Sequence, residues 1–302
     1  MTPVLNKKVL IIAAACVLLS SCGQPNSSTP TNASQTKTQE GSTISSPVAA
    51  APESTSNEKA KQATKDQVDS KAVSADKEND AKVAEVKPLY HLNKAYNVVP
   101  NDKETNKKVV LLTFDDGPKE KDMIDGLIDT LDKHGAKAIF FVNGYRVKEH
   151  PELLKLIFDR GQIIGNHSWD HIDLKKQSTA KMRQQIEDVQ KIVKDTTGET
   201  PKFFRPPFGS GNDKTHQIAK DNELTYMTWS NGSLDWDKKS KNKPEAVIQN
   251  VLDQLHPGSN ILMHELPWTV KALDDLLTKL EAKGYSFVDP RTIGPATKNT
   301  VK

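Results

Sequence analysis

Short apolar runs alternate with amphipathic segments from residue 109 onward, and this alternation restricts the fold more than any other feature of the sequence. Runs typical of buried strands occur at residues 109–114, 138–142, 162–165, 202–204, 224–229, 260–263 and 285–288. Helical spacing of apolar residues occurs over residues 123–131, 179–193, 213–221, 244–255 and 270–282, and another helix begins at Pro151. About seven strands and about six helices in alternation predict an α/β fold, with a parallel sheet that is either a barrel or doubly wound.

Composition excludes several classes of protein. Both cysteines, Cys16 and Cys22, lie in the first 22 residues, so the remainder is neither a disulfide scaffold nor a cysteine-ligated zinc fold. The 42 Lys and Arg residues nearly balance 39 Asp and Glu, a net charge of +3, and no basic excess points to a nucleic-acid partner. No apolar run approaches the ~20 residues that span a bilayer, so the chain is not a polytopic membrane protein.

Residues 1–22 have the pattern of an export signal. Lys7 and Lys8 precede an apolar stretch at residues 9–19, which is the length of a signal-peptide core. The stretch ends in Leu-Ser-Ser-Cys at Cys22, which resembles a bacterial lipobox. We therefore expect a protein lipid-anchored at Cys22 on the extracytoplasmic face of the cell membrane. The alternative is a plain secretory signal with a chance cysteine.

Residues 23–88 form a compositionally separate segment. They contain no aromatic residue, leucine or methionine and carry charges of both signs, so they cannot bury a core. We interpret them as a disordered tether that precedes a globular domain at residues 89–302. A partly helical segment over residues 58–86 is the alternative, although it lacks the apolar stripe that would stabilise it.

Charged residues follow several of the predicted strands, where chemistry gathers in either architecture. Asp115 and Asp116 follow the first strand, and a metal ion would compensate their repulsion, with one carboxylate as ligand and the other as base. A solvated turn is the alternative. His167 and His171 follow the third strand, and with Asp116 they form a two-histidine, one-carboxylate set that leaves coordination positions open, as catalytic metal sites do.

Further candidates follow the later strands. The sequence Arg-Pro-Pro-Phe-Gly at residues 205–209 forms a stiff loop, which is either a rigid structural corner or a means of aiming a buried Arg205 at Asp115. Asp235 and His264 suggest a hydrogen-bonded pair in which the carboxylate raises the pKa of the imidazole, so that it can act as an acid.

The order and spacing of five segments strongly resemble the polysaccharide deacetylase family, carbohydrate esterase family 4, also called the NodB homology domain. The segments are TFDDG at residues 113–117, HSxxH at 167–171, RPPFG at 205–209, DW at 235–236 and LxH at 262–264. The resemblance covers residues 107–290 and implies a distorted (β/α) barrel with about seven strands. It also implies that Asp116, His167 and His171 bind a divalent metal, most often zinc, with cobalt or another divalent ion possible.

The resemblance further implies roles for the remaining residues. Asp115 would be the general base and Arg205 the residue that orients it. His264 would be the general acid, with Asp235 tuning it. The backbone N–H of Phe208 would join the metal in stabilising the tetrahedral oxyanion. Trp236 and Leu262 would wall a small pocket for the acetyl methyl group. The family more often has tyrosine where Phe208 stands, so a backbone role survives but a hydroxyl contact does not.

The leading hypothesis is metal-dependent hydrolysis of N-acetyl groups from cell-wall glycan, peptidoglycan N-acetylglucosamine above all, by a monomeric protein. Peptidoglycan follows from the expected anchor and tether, because a membrane-bound enzyme that reaches outward meets the wall first. The alternatives are N-acetylmuramic acid, another N-acetylglucosamine polymer, an O-acetyl ester, or a catalytically silent glycan-binding module.

Overall fold

The computed structural model describes residues 87–294, and their apolar runs form one curled parallel sheet. The strands are β1 (Tyr90–Leu92), β2 (Val98–Pro100), β3 (Val109–Gly117), β4 (Ala138–Val142), β5 (Ile163–Asn166), β6 (Phe203–Phe204), β7 (Thr225–Tyr226), β8 (Asn231–Gly232), β9 (Ser259–His264) and β10 (Ser286–Phe287). Seven of them are hydrogen-bonded in the order β7-β6-β5-β4-β3-β9-β8, and β10 adds to β3 in parallel. The expected α/β fold with about seven parallel strands is confirmed.

Within residues 87–294, seven α-helices connect and cover the strands. They are α1 (Lys121–Lys133), α2 (Gly144–Glu149), α3 (Pro151–Asp159), α4 (Thr179–Thr197), α5 (Asp213–Asp221), α6 (Pro244–Asp253) and α7 (Pro267–Ala282). Proline begins α3, α6 and α7, because its missing N–H is unpaired there in any case. The side chain of Asn212 caps α5 in a reciprocal capping box, and Gly198 ends α4 in the left-handed conformation.

The central strand β3 separates two regions of the core. Val110, Leu112 and Phe114 pack with the helices in the larger cluster, whereas Leu111 packs in the smaller cluster on the other face of the sheet. Because side chains alternate along a strand, Thr113 and Asp115 share the face of Leu111. That face is therefore apolar near the start of β3 and polar at its carboxyl end.

The structure differs from the sequence predictions in several short elements. The predicted strand over residues 224–229 is shorter, because the Thr228 carbonyl accepts hydrogen bonds from the side chains of Arg205 and Asn260 instead of a neighbouring strand. The antiparallel pair β1–β2 was not predicted, since strands of three residues carry too little pattern. Helix α2 was also missed, and α3 follows it directly.

The described chain enters and leaves the domain at the amino-terminal end of the sheet. Gly294 N–H donates to Tyr90 O at 2.9 Å, and Val98 N–H donates to Gly258 O at 2.8 Å, directly before β9. The predicted signal peptide at 1–22 and nearly all of the predicted tether at 23–88, apart from residues 87 and 88, lie outside the described residues. None of the helices between residues 87 and 294 has the length and apolarity to cross a bilayer.

Candidate active site

The predicted site residues meet at the carboxyl-terminal end of the sheet. Strands β3 and β9 are paired so that Asp115 lies opposite His264, while β5 ends one residue before His167. The loops after β6 and β8 bring Arg205 and Asp235 to the same end. Residues from five segments that span 150 positions of sequence therefore form one cluster.

Arg205 is fully buried and holds one oxygen of Asp115. Its Nη1 donates to Asp115 Oδ1 at 2.7 Å and to Thr113 Oγ1 at 2.8 Å, while Nη2 donates to Thr228 O at 2.9 Å and Asn260 Oδ1 at 3.2 Å. The guanidinium lies over the ring of Phe141, 4.4 Å from its centroid. Burial lowers the pKa of Arg205 and the charge of Asp115 opposes that shift. The pair leaves Asp115 Oδ2 pointing to the cluster, 3.6 Å from His167 Nε2.

Asp116, His167 and His171 form a set that fits a metal ion. The Nε2 atoms of His171 and His167 lie 3.1 and 3.4 Å from Asp116 Oδ1. His167 Nδ1 lies 2.7 Å from the backbone oxygen of Arg205, to which it donates, so the Nε2 lone pair faces the carboxylate. Asp116 Oδ1 is buried and accepts no hydrogen bond within residues 87–294. A buried oxygen that faces two imidazole nitrogens fits a bound cation, and nitrogen and carboxylate donors suit a divalent transition metal.

The pKa values in this set reflect burial and mutual charge. Burial disfavours the Asp116 carboxylate, but the imidazoles of His167, His264 and His171 outweigh it and hold its pKa below the usual range. Burial lowers the pKa of His171, which keeps its imidazole in the neutral form that binds metals.

Asp235 holds His264 from the opposite side. It is fully buried, and its Oδ1 lies 2.7 Å from His264 Nδ1 while its Oδ2 accepts the backbone N–H of His264 at 2.7 Å. Burial lowers the pKa of His264, but the hydrogen bond and charge of Asp235 outweigh it, so this pKa lies above its ordinary value. The Nε2 atom of His264 lies 4.0 Å from Asp116 Oδ2. His264 thus presents a proton donor to the cluster.

Apolar side chains line the mouth of the site. Phe208 packs edge-on against His171, with ring centroids 4.7 Å apart, and Trp236 packs edge-on against His264 at 5.2 Å. Leu262 is buried on β9, two residues before His264. Each of the three residues with an expected substrate contact therefore lies beside the cluster.

Several supporting residues had not been predicted. Thr113 and Asn260 accept from Arg205, and Thr269 Oγ1 donates to Asp235 Oδ2 at 2.7 Å. Thr113 begins the TFDDG segment, which is the signal that would have found it. Thr269 lies 34 residues from Asp235 within the first turn of α7, and no local pattern marks it.

A parallel α/β sheet with an open metal-binding set, a held carboxylate and a held imidazole is typical of metal-assisted hydrolases. Comparison with known proteins agrees with this class. The family model described as "Polysaccharide deacetylase" matches residues 102–227. The chain is 42% identical over 191 residues to the peptidoglycan-N-acetylglucosamine deacetylase PgdA of Listeria monocytogenes, which covers 63% of this chain and 39% of PgdA.

Two further relatives cover more of their own length. The peptidoglycan-N-acetylmuramic acid deacetylase PdaA of Bacillus subtilis is 33% identical over 187 residues, 61% of this chain and 70% of PdaA. A crystal structure of a carbohydrate esterase family 4 pseudoenzyme from Bacillus anthracis superposes with a TM-score of 0.57 at 34% identity, covering 60% of this chain and 63% of that one. The chain belongs to the polysaccharide deacetylase family. It spans about two fifths of the Listeria relative, 39% of its length.

Proposed function

We propose that this protein hydrolyses N-acetyl groups of peptidoglycan, at N-acetylglucosamine, and releases acetate and a free amine. One observation carries the proposal: a separately held carboxylate, Asp115, and a separately held imidazole, His264, flank the metal-binding set. Amide hydrolysis requires both groups, because water must lose a proton and the poor nitrogen leaving group must gain one.

The side chains of the site divide these proton transfers. Asp115 Oδ2 accepts the proton of the attacking water while Arg205 fixes Oδ1. The water oxygen bonds to the acetyl carbon, the carbon–nitrogen bond breaks, and His264 Nε2 protonates the departing nitrogen. Asp235 fixes the opposite ring nitrogen and so the tautomer. A divalent cation held by Asp116, His167 and His171, zinc in this proposal, supplies Lewis-acid polarisation of the acetyl carbonyl.

The choice of sugar is supported by a relative, and the proposed location is supported by the sequence. The Listeria relative is named for N-acetylglucosamine. Residues 1–22, with Cys22 at their end, fit a lipid anchor on the extracytoplasmic face of the membrane, and residues 23–88 fit a tether to the wall. We propose a monomer, with Phe208, Trp236 and Leu262 around the acetyl group.

Two other functions have specific support. The Bacillus subtilis relative is named for N-acetylmuramic acid, so that sugar is the second candidate. The Bacillus anthracis neighbour is a pseudoenzyme, which keeps a silent glycan-binding module as the third. Hydrolysis of an O-acetyl ester depends less on a general acid such as His264, because the alcohol is a better leaving group than the amine.

The test uses the purified full-length chain, chelated and then supplied with zinc. It is incubated with N-acetylglucosamine oligomers and with peptidoglycan fragments, and loss of acetyl groups is followed by mass spectrometry. Zinc-dependent loss from N-acetylglucosamine is the expected result, and the matched variant Asp115→Asn should bind glycan without turnover. Loss of acetyl groups only from N-acetylmuramic acid would make that sugar the substrate. Metal binding without loss of acetyl groups from any glycan would favour the silent glycan-binding module.

A further inference from the structure

Leu234 is an exposed apolar residue at the mouth of the site that the chemistry above does not use. Within the described part of the chain, the exposed large apolar side chains are Phe208, Leu234 and Trp236, with exposed fractions of 66%, 40% and 45%. Phe208 contacts His171, and Trp236 contacts His264. Leu234 lies on the same side as Trp236, two residues before it in the chain.

Leu234 and Trp236 lie side by side over Gly232. A Cβ placed on Gly232 would lie 3.7 Å from Leu234 Cδ2, 3.6 Å from Trp236 Cη2 and 3.7 Å from Trp229 Nε1. The three side chains therefore meet above a residue that has no side chain of its own. Since Trp236 contacts His264, this apolar surface continues outward from the general acid.

The backbone at Leu234 is in the left-handed conformation, with a φ of +52°. A turn is required at Leu234. The N–H of Ser233, the residue before it, still pairs with Leu262 O at 3.1 Å, while Asp235, the residue after it, must reach into the cluster. Glycine or asparagine makes such a turn at lower cost than leucine. The fold alone gives no reason for a half-exposed leucine, and strained residues of this kind concentrate at binding sites.

Other residues with left-handed backbone also lie at the site, as Leu234 does. Positive φ occurs at Asp116 near the end of β3 and at Ser168, His171 and Phe208 in loops of the site, and outside the cluster at Tyr96, Glu223 and Asn242. Leu234 shares the conformation of the site residues among them, and it is exposed beside Trp236, which also opens to solvent.

We propose that Leu234 and Trp236 form a platform for a pyranose ring of the glycan chain, next to the sugar that loses its acetyl group. The inference rests on the proposed function. Pyranose rings present C–H groups on one face, and an apolar surface adjoining the reacting centre suits that face. Leu234 is therefore a specificity-determining residue for glycan chains over isolated acetyl groups.

The experiment compares two substrates in two variants of the full chain. Leu234→Gly and Leu234→Asn both accept left-handed backbone but remove the apolar side chain. For each, kcat/KM is measured on the N-acetylglucosamine tetramer and on 4-nitrophenyl acetate, which has no sugar. We expect the ratio of tetramer to ester to fall about tenfold, the effect of losing a leucine-sized apolar contact.

The matched control is Glu223→Gly. Glu223 is exposed, has a φ of +56° and lies after α5, so the variant removes the same backbone strain away from the site. Its ratio should equal that of the wild type. An unchanged ratio in both Leu234 variants, or equal losses on the two substrates, would overturn the platform.

A binding measurement separates failure of the platform from failure of the proposed function. If the wild type turns over neither substrate, the proposed function fails. Calorimetric binding of the tetramer to the same variants then decides the platform: a Kd raised about tenfold supports it, and an equal Kd overturns it.

Discussion

Arg205 is the residue on which the buried polar network of the site depends. One guanidinium satisfies four acceptors that come from strands β3 and β9 and from the loop after β7, and it holds the proposed base in place. A lysine ammonium is a single point donor on a flexible stem, so it cannot span the same acceptors.

We therefore expect Arg205→Lys to lower the free energy of unfolding by about 3 kcal/mol, since it leaves buried polar groups unpaired. Turnover should fall as well, because Asp115 Oδ1 loses its fixed partner. Urea denaturation and single-turnover rates check both effects. The control Arg183→Lys changes an exposed arginine on α4, where the expected change is within ~0.5 kcal/mol. Equal stability of the two variants would contradict the role given to Arg205.

Glu265 is a buried carboxyl group outside the proposed chemistry. Its Oε2 accepts Lys119 N–H at 2.8 Å, and its Oε1 has no hydrogen-bond partner in residues 87–294. Burial raises the pKa of Glu265 from 4.5 to about 7, with the backbone hydrogen bond from Lys119 opposing the shift. Between these two values the folded state holds a proton that the unfolded state has released, so stability falls as pH rises.

We expect stability to fall by about 3 kcal/mol between pH 4.5 and 7 from this group, and then to stay level. Glu265→Gln, which is neutral at every pH, should remove that slope. The measurement is denaturant unfolding from pH 4.5 to 8 in the presence of a chelator. The exposed variant Glu152→Gln should keep the slope, and an unchanged slope in Glu265→Gln would show that Glu265 ionises freely.

Among the elements, β3 carries the closest packing at the site. A Cβ on its last residue, Gly117, would lie 1.9 Å from Glu265 Oε1. Only glycine fits there unless the carboxyl group moves. Gly117 at the end of β3 and Glu265 directly after β9 therefore restrict each other's position.

Gly117→Ala should cost about 1–3 kcal/mol of stability through this overlap. The cost should shrink in the background Glu265→Ala, which vacates the space. Denaturation of the wild type, both single variants and the double variant forms a cycle that measures the coupling. If the losses in free energy of unfolding of the two single variants add up in the double variant, Gly117 and Glu265 are not coupled by steric contact.

Sequence patterns predicted the long elements well and the short ones poorly. The limits of β4 and α5 coincide with the predicted ranges, because apolar periodicity and capping residues are local signals. The predicted strand at residues 224–229 was too long, since its end is set by side chains of Arg205 and Asn260 that are distant in sequence. Asp115 and His264 lie at the ends of apolar strand patterns and could be predicted. Thr269 and Leu234 carry no local signal, because their roles depend on contacts between segments that are distant in sequence.

For the whole molecule, a bound metal ion links the site to the stability of the fold. The ligands come from the ends of β3 and β5 and the loop after β5, which the unfolded chain does not bring together. Binding only to the folded state stabilises it by mass action.

Zinc at about 100 times its Kd should therefore stabilise the chelated protein by about 2.7 kcal/mol. Thermal unfolding at a series of zinc concentrations measures this stabilisation. The melting temperature of the variant His171→Ala should rise less than that of the wild type at each concentration. His150→Ala changes an exposed histidine remote from the set and should respond as the wild type does. An equal response from His171→Ala would place the zinc elsewhere.

Because both ends of the described chain emerge at one pole of the domain, the opposite pole is formed by strand ends, loops and the starts of helices such as α7. The nine residues of β3 alone separate the poles by about 30 Å. A support attached through either end therefore leaves the mouth facing away from it. The domain can be fused to a carrier or fixed to a bead at residue 87 or at residue 294, and a polymer as stiff as a glycan strand still reaches the mouth unobstructed.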